Sequence, residues 1–260
     1  MPTKPRYAVP ALEKGLDILE SLSASPTPLT LTALAKALGR ANSEIFRMLN
    51  LLEARGYVCR DDSGAYTLSL RLFQIAHAQD TVGQLLDSAR GPMRTLSYDS
   101  GESCHLSVLE GAEIVILARA EAPRPVRLVV EVGGRFSAIH TTSGRMLLAG
   151  YPIAARQRIL EASADFKKLS KAGREVLLTS LKTIASDGYA TAQDESVAGA
   201  DDTAVSVGSP DTGVHAALAI AALSFRSKAP RRGELVTLLR KCASEIDHNA
   251  SSQLHRLKRD

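Results

Sequence analysis

Apolar residues near the start of the chain recur at steps of three and four positions, which is the spacing of one helix face. The first such stretch begins at Ala11 and stops at the proline-containing segment 23–28. The second follows Thr30, a residue type that caps helix N-termini, and stops at Gly39, a residue that readily ends helices. The pattern therefore predicts two short amphipathic helices, each with one buried face.

A third apolar stripe is followed by two segments of alternating pattern. The third helix is predicted to begin at Asn42 or Ser43 and to end at Gly56. Residues 57–60 and 65–68 lie on either side of a glycine-containing loop, which predicts a β-hairpin. Three helices and a hairpin in this order are typical of a winged helix-turn-helix domain.

The remainder of the chain mixes helical and strand periods, which predicts an α+β domain with helices packed against a sheet. Helices are predicted at 85–97, 144–150, 153–162, 172–187 and 230–255, and strands at 103–109, 113–120, 126–132, 189–195, 203–207 and 215–223. A weak break is expected at 81–83, and Pro92 is expected to kink or restart its helix. The predicted order is a flexible arm at 1–10, the winged helix-turn-helix at 11–69, a linker helix at 70–83 and a second domain at 84–260.

Charge changes this picture through its distribution more than through its total. The 260 residues include 32 Lys and Arg against 28 Asp and Glu, and a net charge of +4 is weak support for nucleic-acid binding. The segment from Arg40 to Arg60 holds four Arg against two Glu. These Arg residues could face a DNA groove, or they could form a solvated helix face.

Cysteine usage and hydropathy indicate the compartment. Cys59, Cys104 and Cys242 lack the spacing of a metal site, and an odd count argues against a disulfide framework. No segment has the apolar length of a signal-peptide core or of a membrane span. We therefore expect a cytoplasmic protein with no membrane partner, no metal and no cofactor.

The third helix carries the candidate DNA chemistry. Short polar side chains and Arg at a helix N-terminus can reach base edges in the major groove, while other Arg residues meet phosphates. Arg47 can make a bidentate contact to guanine, and Glu44 can accept from a cytosine amino group or only hold an Arg in place. Asn42 or Ser43 could be the helix cap. The predicted DNA-binding residues are Asn42, Ser43, Glu44, Arg47, Arg40 and Arg60, the last two through charge alone.

The second domain shows no residue arrangement that predicts catalysis, so we expect the protein not to be an enzyme. Cys104 and His105 are adjacent on a predicted strand and face opposite ways, which excludes a nucleophile–base pair. The loop from His140 to Ser143 opens a helix, and helix amides with hydroxyls suit a carboxylate or another oxygen-bearing ligand. Alternatively, Thr141 and Ser143 only cap that helix.

An ordered series of motifs resembles a known family. The first domain carries LTLTALAKALG and SEIFRMLNLLEARGYV, and the second carries GESCHL, PRPVRL and TTSGRMLLA. Through these motifs, residues 11–250 resemble the isocitrate-lyase-regulator (IclR) family of bacterial transcription factors. The resemblance implies a winged helix-turn-helix, a linker helix and a GAF-like effector-binding domain. It also implies a homodimer or homotetramer on palindromic double-stranded operators, and repression is the commoner role.

The resemblance further implies an effector site for a small ligand, often an aromatic compound or an organic acid. The site lies around the loop at 140–143, the strand that holds Leu128 and the segment 192–202. The implied effector-binding residues are Leu128, His140, Thr141, Thr142, Ser143, Ala192, Asp194, Asp202 and Ala219.

Some positions depart from the family pattern. The histidine of the loop, His140, stands one place later than in relatives. Asp202 stands where relatives often carry Cys, and Ala219 and Ala221 stand where they often carry Ser. A cavity that gains a carboxylate and loses hydroxyls suits a larger ligand, aromatic with a hydroxyl or amine, better than a glyoxylate-like acid. The sequence thus predicts an effector-controlled transcriptional repressor; the alternative is a ligand-sensing or interaction module without operator binding.

Overall fold

The computed structural model describes residues 9–77, 80–195, 198–210, 214–223 and 232–257. The chain divides into two compact units, Met1–Gln79 and Asp80–Asp260. Most of the arm predicted at 1–10 lies outside the described residues, and Pro10 already begins the first helix. None of the described helices is both long and apolar enough to span a bilayer.

The described residues of the first unit form four helices and a three-stranded antiparallel sheet. Its elements are α1 (Pro10–Ala24), β1 (Leu29–Thr30), α2 (Leu31–Ala37), α3 (Asn42–Ala54), β2 (Val58–Arg60), β3 (Ala65–Leu68) and α4 (Arg71–His77). The sheet order is β1-β3-β2, so the predicted hairpin is joined by the two-residue strand β1, which the sequence pattern did not predict. The Thr30 hydroxyl caps α2 by accepting from the Ala33 amide at 3.2 Å.

The core of this unit contains one apolar stripe from each of the first three helices. Ile18, Leu34, Ile45 and Leu49 have no exposed surface, and Tyr66 from β3 closes the core at 1% exposure. The predicted winged helix-turn-helix is therefore present. Its third helix, α3, packs against the core with one face and leaves the opposite face exposed.

The second unit is an antiparallel sheet between two layers of helices. Its elements are α5 (Asp80–Ser100), β4 (Cys104–Glu110), β5 (Glu113–Ala120), β6 (Arg135–Ser137), a 3-10 turn (Ala138–His140), α6 (Thr142–Gly150), α7 (Ile153–Ala162), α8 (Ala164–Lys168), α9 (Lys171–Asp187), β7 (Ala190–Gln193), β8 (Ala200–Ser209), β9 (Val214–Leu223) and α10 (Arg232–Leu257). The six strands follow the order β6-β5-β4-β9-β8-β7.

Strand β9 shows how the two layers are packed. Leu218 and Ile220 face the core formed with α5 and α10, whereas Ala217 and Ala219 face the core formed with α6 and α9. Because successive side chains alternate between faces, the central part of the strand carries its large residues on one side and only alanines on the other. The alanine side leaves space between the sheet and α6.

The break predicted at 81–83 was wrong, because these residues lie within α5. The helix continues through Pro92 without a new start, and a kink at this residue stays a prediction. Proline cannot donate to the carbonyl of Ser88, one turn earlier, and the side-chain amide of Asn249 donates to that carbonyl instead at 3.4 Å. Within the predicted linker helix, 71–77 form α4, 80–83 belong to α5, and 78–79 lie outside the described residues.

The strand predicted at 126–132 is absent from the structure. These residues form an irregular segment, and a short strand, β6, follows at Arg135–Ser137. The backbone of Ile116 in β5 bonds with Gly133 and Gly134 instead, at 2.8 and 3.0 Å. The segment 126–132 alternates like a strand, but its backbone does not join the hydrogen-bond ladder of the sheet. It is therefore an extended segment beside the sheet and not a strand.

Candidate functional site

The outward face of α3 is the candidate DNA-reading surface. Asn42, Ser43, Arg47 and Asn50 are exposed on the side of α3 away from the core. Arg47 extends without a hydrogen-bond or ion-pair partner among the residues that the structure describes. The side-chain Nδ2 of Asn42 donates a long hydrogen bond to the Thr32 hydroxyl at 3.4 Å, which connects the start of α3 to α2.

Glu44 is already engaged within the unit. Its carboxylate accepts from the Ala41 backbone N–H at 3.2 Å, which satisfies an amide at the start of α3. The ammonium group of Lys14 in α1 lies 2.7 Å from the other carboxylate oxygen. The hydrogen bond from Lys14 holds the pKa of Glu44 below its usual value, with the Ala41 hydrogen bond as the next cause. Glu44 therefore fixes the N-terminus of α3 against α1.

Two of the predicted charge-bearing Arg residues are also held in place. Arg40 forms an ion pair with Asp17 of α1 at 3.2 Å. The guanidinium of Arg60 lies over the Tyr66 ring, 5.5 Å from its centre, at the loop end of the hairpin. Ser43 and Arg47 are thus the members of the predicted set whose polar groups are least committed to the unit itself.

A cavity of about 380 Å³ in the second unit is the candidate effector site. It lies between the alanine-bearing sheet face, the start of α6 and the irregular segment that includes 128–130. In size it falls within the usual range of small-molecule sites, about 300–1,000 Å³. Its lining residues are Ser103, Cys104, His105, Ile114, Ile116, Arg119, Ala120, Glu121, Leu128, Val129, Val130, Phe136, Ser137, His140, Thr141, Thr142, Ser143, Glu195, Asp202, Ala219 and Ala221.

Strand register explains the floor of this cavity. His105 of β4 lies between Ala219 of β9 and Arg119 of β5, in one row across the sheet. Asp202 of β8 lies opposite Ala221 of β9. Positions 219 and 221, in the centre of the floor, are alanines, whose short side chains leave room above the sheet. The floor is therefore apolar in its centre, with the polar side chains of His105 and Asp202 on either side.

The N-terminus of α6 forms one wall. The Thr141 hydroxyl caps the helix by accepting from the Gly144 N–H at 3.2 Å, and it donates to the Ser137 carbonyl at 3.2 Å. The Ser143 hydroxyl is hydrogen-bonded to His105 Nε2 at 3.0 Å. The hydroxyl of Thr142, a residue only 4% exposed, has no hydrogen-bond partner in the described part of the chain. A buried hydroxyl without a partner is costly and marks a place where a ligand can bond.

The ionisable groups around the cavity do not form a catalytic set. Burial lowers the pKa of His105 to about 4, so its imidazole is neutral at pH 7. Burial raises the pKa of the Cys104 thiol to about 12, which keeps it protonated and a poor nucleophile. Among the described side chains, no three His, Cys, Asp or Glu residues converge as metal ligands do.

The cationic groups at the cavity are paired with acids. Arg119 lies 3.0 Å from Glu121 and donates to the Val130 carbonyl at 3.1 Å. Arg145 lies 2.6 Å from Glu195, which reaches the cavity from the turn after β7. Glu121 also accepts from Arg127 Nε at 2.8 Å, so this carboxylate is shared between two guanidinium groups.

The structure brings together seven of the nine residues predicted for the effector site. Leu128, His140, Thr141, Thr142, Ser143, Asp202 and Ala219 line the cavity. The other two predicted residues do not line the cavity. Ala192 is buried opposite Asp202 on the neighbouring strand, and the Asp194 carboxylate accepts from the Gly199 N–H at 2.6 Å within the β7–β8 turn.

His105, Arg119 and Glu195 also line the cavity, although no pattern in the sequence predicted them there. The strand periodicity placed His105 on a face, but only the register with Ala219 shows that this face lines the cavity.

Two family models match the chain. The model described as the IclR helix-turn-helix domain matches residues 11–62. The model described as the bacterial transcriptional regulator IclR C-terminal domain matches residues 79–248.

Named proteins and solved structures agree with these matches. The HTH-type transcriptional regulator XynR of Escherichia coli is 27% identical over 84% of this chain and 88% of its own length. The HTH-type transcriptional repressor AllR of the same species is 28% identical over 87% of this chain and 86% of its own. The fold is similar to that of an IclR homolog from Microbacterium hydrocarbonoxydans in complex with 4-hydroxybenzoate, with a TM-score of 0.74, 23% identity, and 93% and 99% of the two chains covered.

Proposed function

Because this chain belongs to the IclR family of bacterial transcriptional regulators, with a DNA-binding helix-turn-helix, we propose that α3 reads an operator under the control of an effector in the second unit. The observation that carries the proposal is a helix with an exposed polar N-terminal face in one unit and a ligand-sized cavity in the other. The named relatives are transcriptional regulators, and we propose no catalytic role.

Two groups of residues would contact the operator, one at the base edges and one near the phosphates. Asn42, Ser43 and Arg47 contact base edges, while Arg60 in the wing adds positive charge towards phosphates. Glu44 and Arg40 act mainly by holding α3 and the preceding turn against α1. The operator is palindromic and the protein binds it as a homodimer or homotetramer, since two-fold symmetric sites require paired reading helices.

The effector is a small organic molecule with an aromatic ring. The cavity volume of about 380 Å³ lies in the range of small-molecule sites and is enough for a substituted benzene ring. The low alanine floor accepts a flat face, and the 4-hydroxybenzoate bound by the Microbacterium neighbour has this shape. Thr142, Ser143 and Asp202 supply polar contacts at its edge.

Repression in the cytoplasm is the role we assign. AllR, a relative over most of the chain, is named as a repressor. A protein that binds operators works where the chromosome lies, and the described helices include no membrane span.

A gel-shift titration against the intergenic DNA upstream of the gene tests the first half of the proposal. At micromolar protein and low salt we expect retardation, with an affinity that falls steeply as salt rises. Absence of any retardation under these conditions refutes operator binding and favours the interaction-module alternative, which predicts almost no salt dependence.

Arg47→Ala tests the reading helix. We expect a loss of roughly 1–3 kcal/mol in operator affinity and a relaxed base preference, because a bidentate guanine contact is removed. Arg55→Ala, an exposed change at the C-terminal end of the same helix, is the control and should weaken all sequences alike. An unchanged footprint and affinity for Arg47→Ala remove Arg47 from the reading set.

Thermal melting with three probes tests the effector half. We expect at least one of 4-hydroxybenzoate, 4-hydroxybenzyl alcohol and benzylamine, at millimolar concentration, to raise the melting temperature of the second unit. The Thr142→Val variant, which keeps the side-chain shape but removes the hydroxyl, should reduce that rise. No rise with any of the three contradicts an aromatic effector.

A further inference from the structure

An exposed aromatic side chain lies among the polar residues at the start of α3. Phe46 is 45% exposed, whereas Ile45 and Leu49 on the core side of α3 are fully buried. Water contact with a phenyl ring is unfavourable, so this position is costly for the free protein.

The position of Phe46 follows from helix geometry. At about 100° per residue, Phe46 lies about 40° around the axis from Asn42 and from Asn50, and about 60° from Ser43. It therefore lies between Asn42 and Asn50 in the polar set that is directed away from the core, and Leu49, about 60° away, is the nearest buried residue around the axis. Its position along the axis is within the first one and a half turns, the part of a recognition helix that enters the groove.

The capping contacts of this helix make the position of Phe46 rigid. Glu44 bonds to the Ala41 amide at the start of α3 and to Lys14 of α1, so the first turn of α3 is both capped and tied to α1. A side chain on such a helix turn has few ways to move out of the groove. Phe46 would thus be presented to DNA together with Arg47.

We propose that Phe46 reads thymine in the operator, through contact of its ring with the 5-methyl group. The thymine methyl is the apolar feature of the major-groove edge, and apolar side chains distinguish thymine by covering it. Ser43 and Arg47 can bond to base edges but cannot recognise a methyl group. The inference rests on the proposed function and adds a residue that reads by apolar contact.

A second copy of the chain is a less suitable occupant for this side chain. The surface around Phe46 contains Asn42, Ser43, Arg47 and Asn50, all exposed, and it would leave polar groups unpaired against an apolar protein surface. Base edges and phosphates satisfy the same groups. The neighbours of Phe46 therefore favour DNA as the surface that covers it.

The experiment replaces thymines of the footprinted operator one position at a time by deoxyuridine, which removes only the methyl group. We expect wild-type protein to lose about fourfold in affinity at one thymine per half-site, the effect of one methyl group that leaves an apolar contact. Phe46→Ala should bind the normal operator at least several-fold more weakly and should respond to deoxyuridine at that position by less than about 1.5-fold.

Two further variants keep the outcome decisive. Leu51→Ala removes another exposed apolar side chain, 53% exposed, that lies about 140° around the helix from Phe46, and it should keep the full response to deoxyuridine. Phe46→Leu keeps an apolar side chain for the case in which Phe46→Ala is unstable, and it should retain part of the response.

Two results overturn the proposal. One is a wild-type protein that binds the operator but responds to no single replacement of thymine. The other is a Phe46→Ala or Phe46→Leu variant that binds and responds as the wild type does. Failure of the wild type to bind any DNA at low salt overturns operator binding itself, and so is distinct from both.

Discussion

Replacing Gly144 by alanine should disturb the cavity wall by a backbone collision. Gly144 lies in the first turn of α6, and a Cβ at this position would be 2.3 Å from the Ala138 carbonyl oxygen and 2.4 Å from the Ala138 Cα. Favourable contacts between such atoms begin at about 3.5 Å, so the helix and the 3-10 turn must separate by roughly 1 Å. No side-chain rotation can relieve the contact, because both atoms belong to the backbone.

The cost follows from the burial of both partners. Ala138 is 1% exposed and Thr142, in the same helix turn, is 4% exposed, so neither segment can move into solvent without opening the core. Overpacking of this kind costs about 1–3 kcal/mol. In a unit of this size each kcal/mol lowers the melting temperature by about 2–4 °C, which gives a fall of about 2–12 °C.

Calorimetry of the full chain measures this effect, with Gly233→Ala as the matched control. Gly233 also lies in the first turn of a helix of the second unit, but a Cβ there would have no atom within 4 Å. Its replacement should be neutral or stabilising by a few tenths of a kcal/mol. A Gly144→Ala protein that melts within about 1 °C of the control would falsify the claim that this contact fixes the wall.

Two further predictions concern single side chains. The pKa of His105 is lowered from 6.5 to about 4, so the neutral imidazole stabilises the fold above pH 6.5, and up to about 3 kcal/mol of folding stability is lost as the pH falls from 6.5 to 4. His105→Gln should remove this part of the pH dependence of unfolding. An unchanged pH dependence in this variant would contradict the assignment to His105. Glu44→Gln, which weakens the contacts to Lys14 and Ala41, should lower the melting temperature of the first unit by about 2–5 °C without altering base preference, and a changed preference in gel shifts would return Glu44 to the reading set.

Local periodicity was sufficient where an element is specified by its own residues. The helices predicted at 153–162 and 172–187 are Ile153–Ala162 and Lys171–Asp187 in the structure. The wing hairpin was also predicted, because its loop and its alternation lie within one short segment. In these cases the pattern of buried positions is set by the element itself and needs no distant partner.

Distant partners explain the failures. α5 continues through Pro92 because Asn249 bonds to the carbonyl that proline leaves without a partner, and no local pattern contains that residue. The segment 126–132 alternates like a strand, but the edge of β5 is taken by Gly133 and Gly134. The site shows the same limit, since His105 enters the cavity only through its register with Ala219.

The charges around the cavity determine which ends of a ligand it can hold. Arg119 is paired with Glu121 and Arg145 with Glu195, so an acidic ligand would find both guanidinium groups already engaged. The N-terminus of α6 still offers amide dipoles and the Thr142 hydroxyl, which suit an acceptor on the ligand.

The Asp202 carboxylate on the cavity floor favours a ligand that carries a hydrogen-bond donor, at a point away from the acceptor that faces α6. Asp202 lines the cavity beside the alanine floor, and a compact monocarboxylate would meet its negative charge without using the apolar floor. We therefore propose an aromatic molecule with a hydroxyl or amine opposite its acceptor, because such a molecule could use α6, the floor and Asp202 together. The fold alone therefore does not set the effector class, because the choice depends on the side chains at 142, 202, 219 and 221.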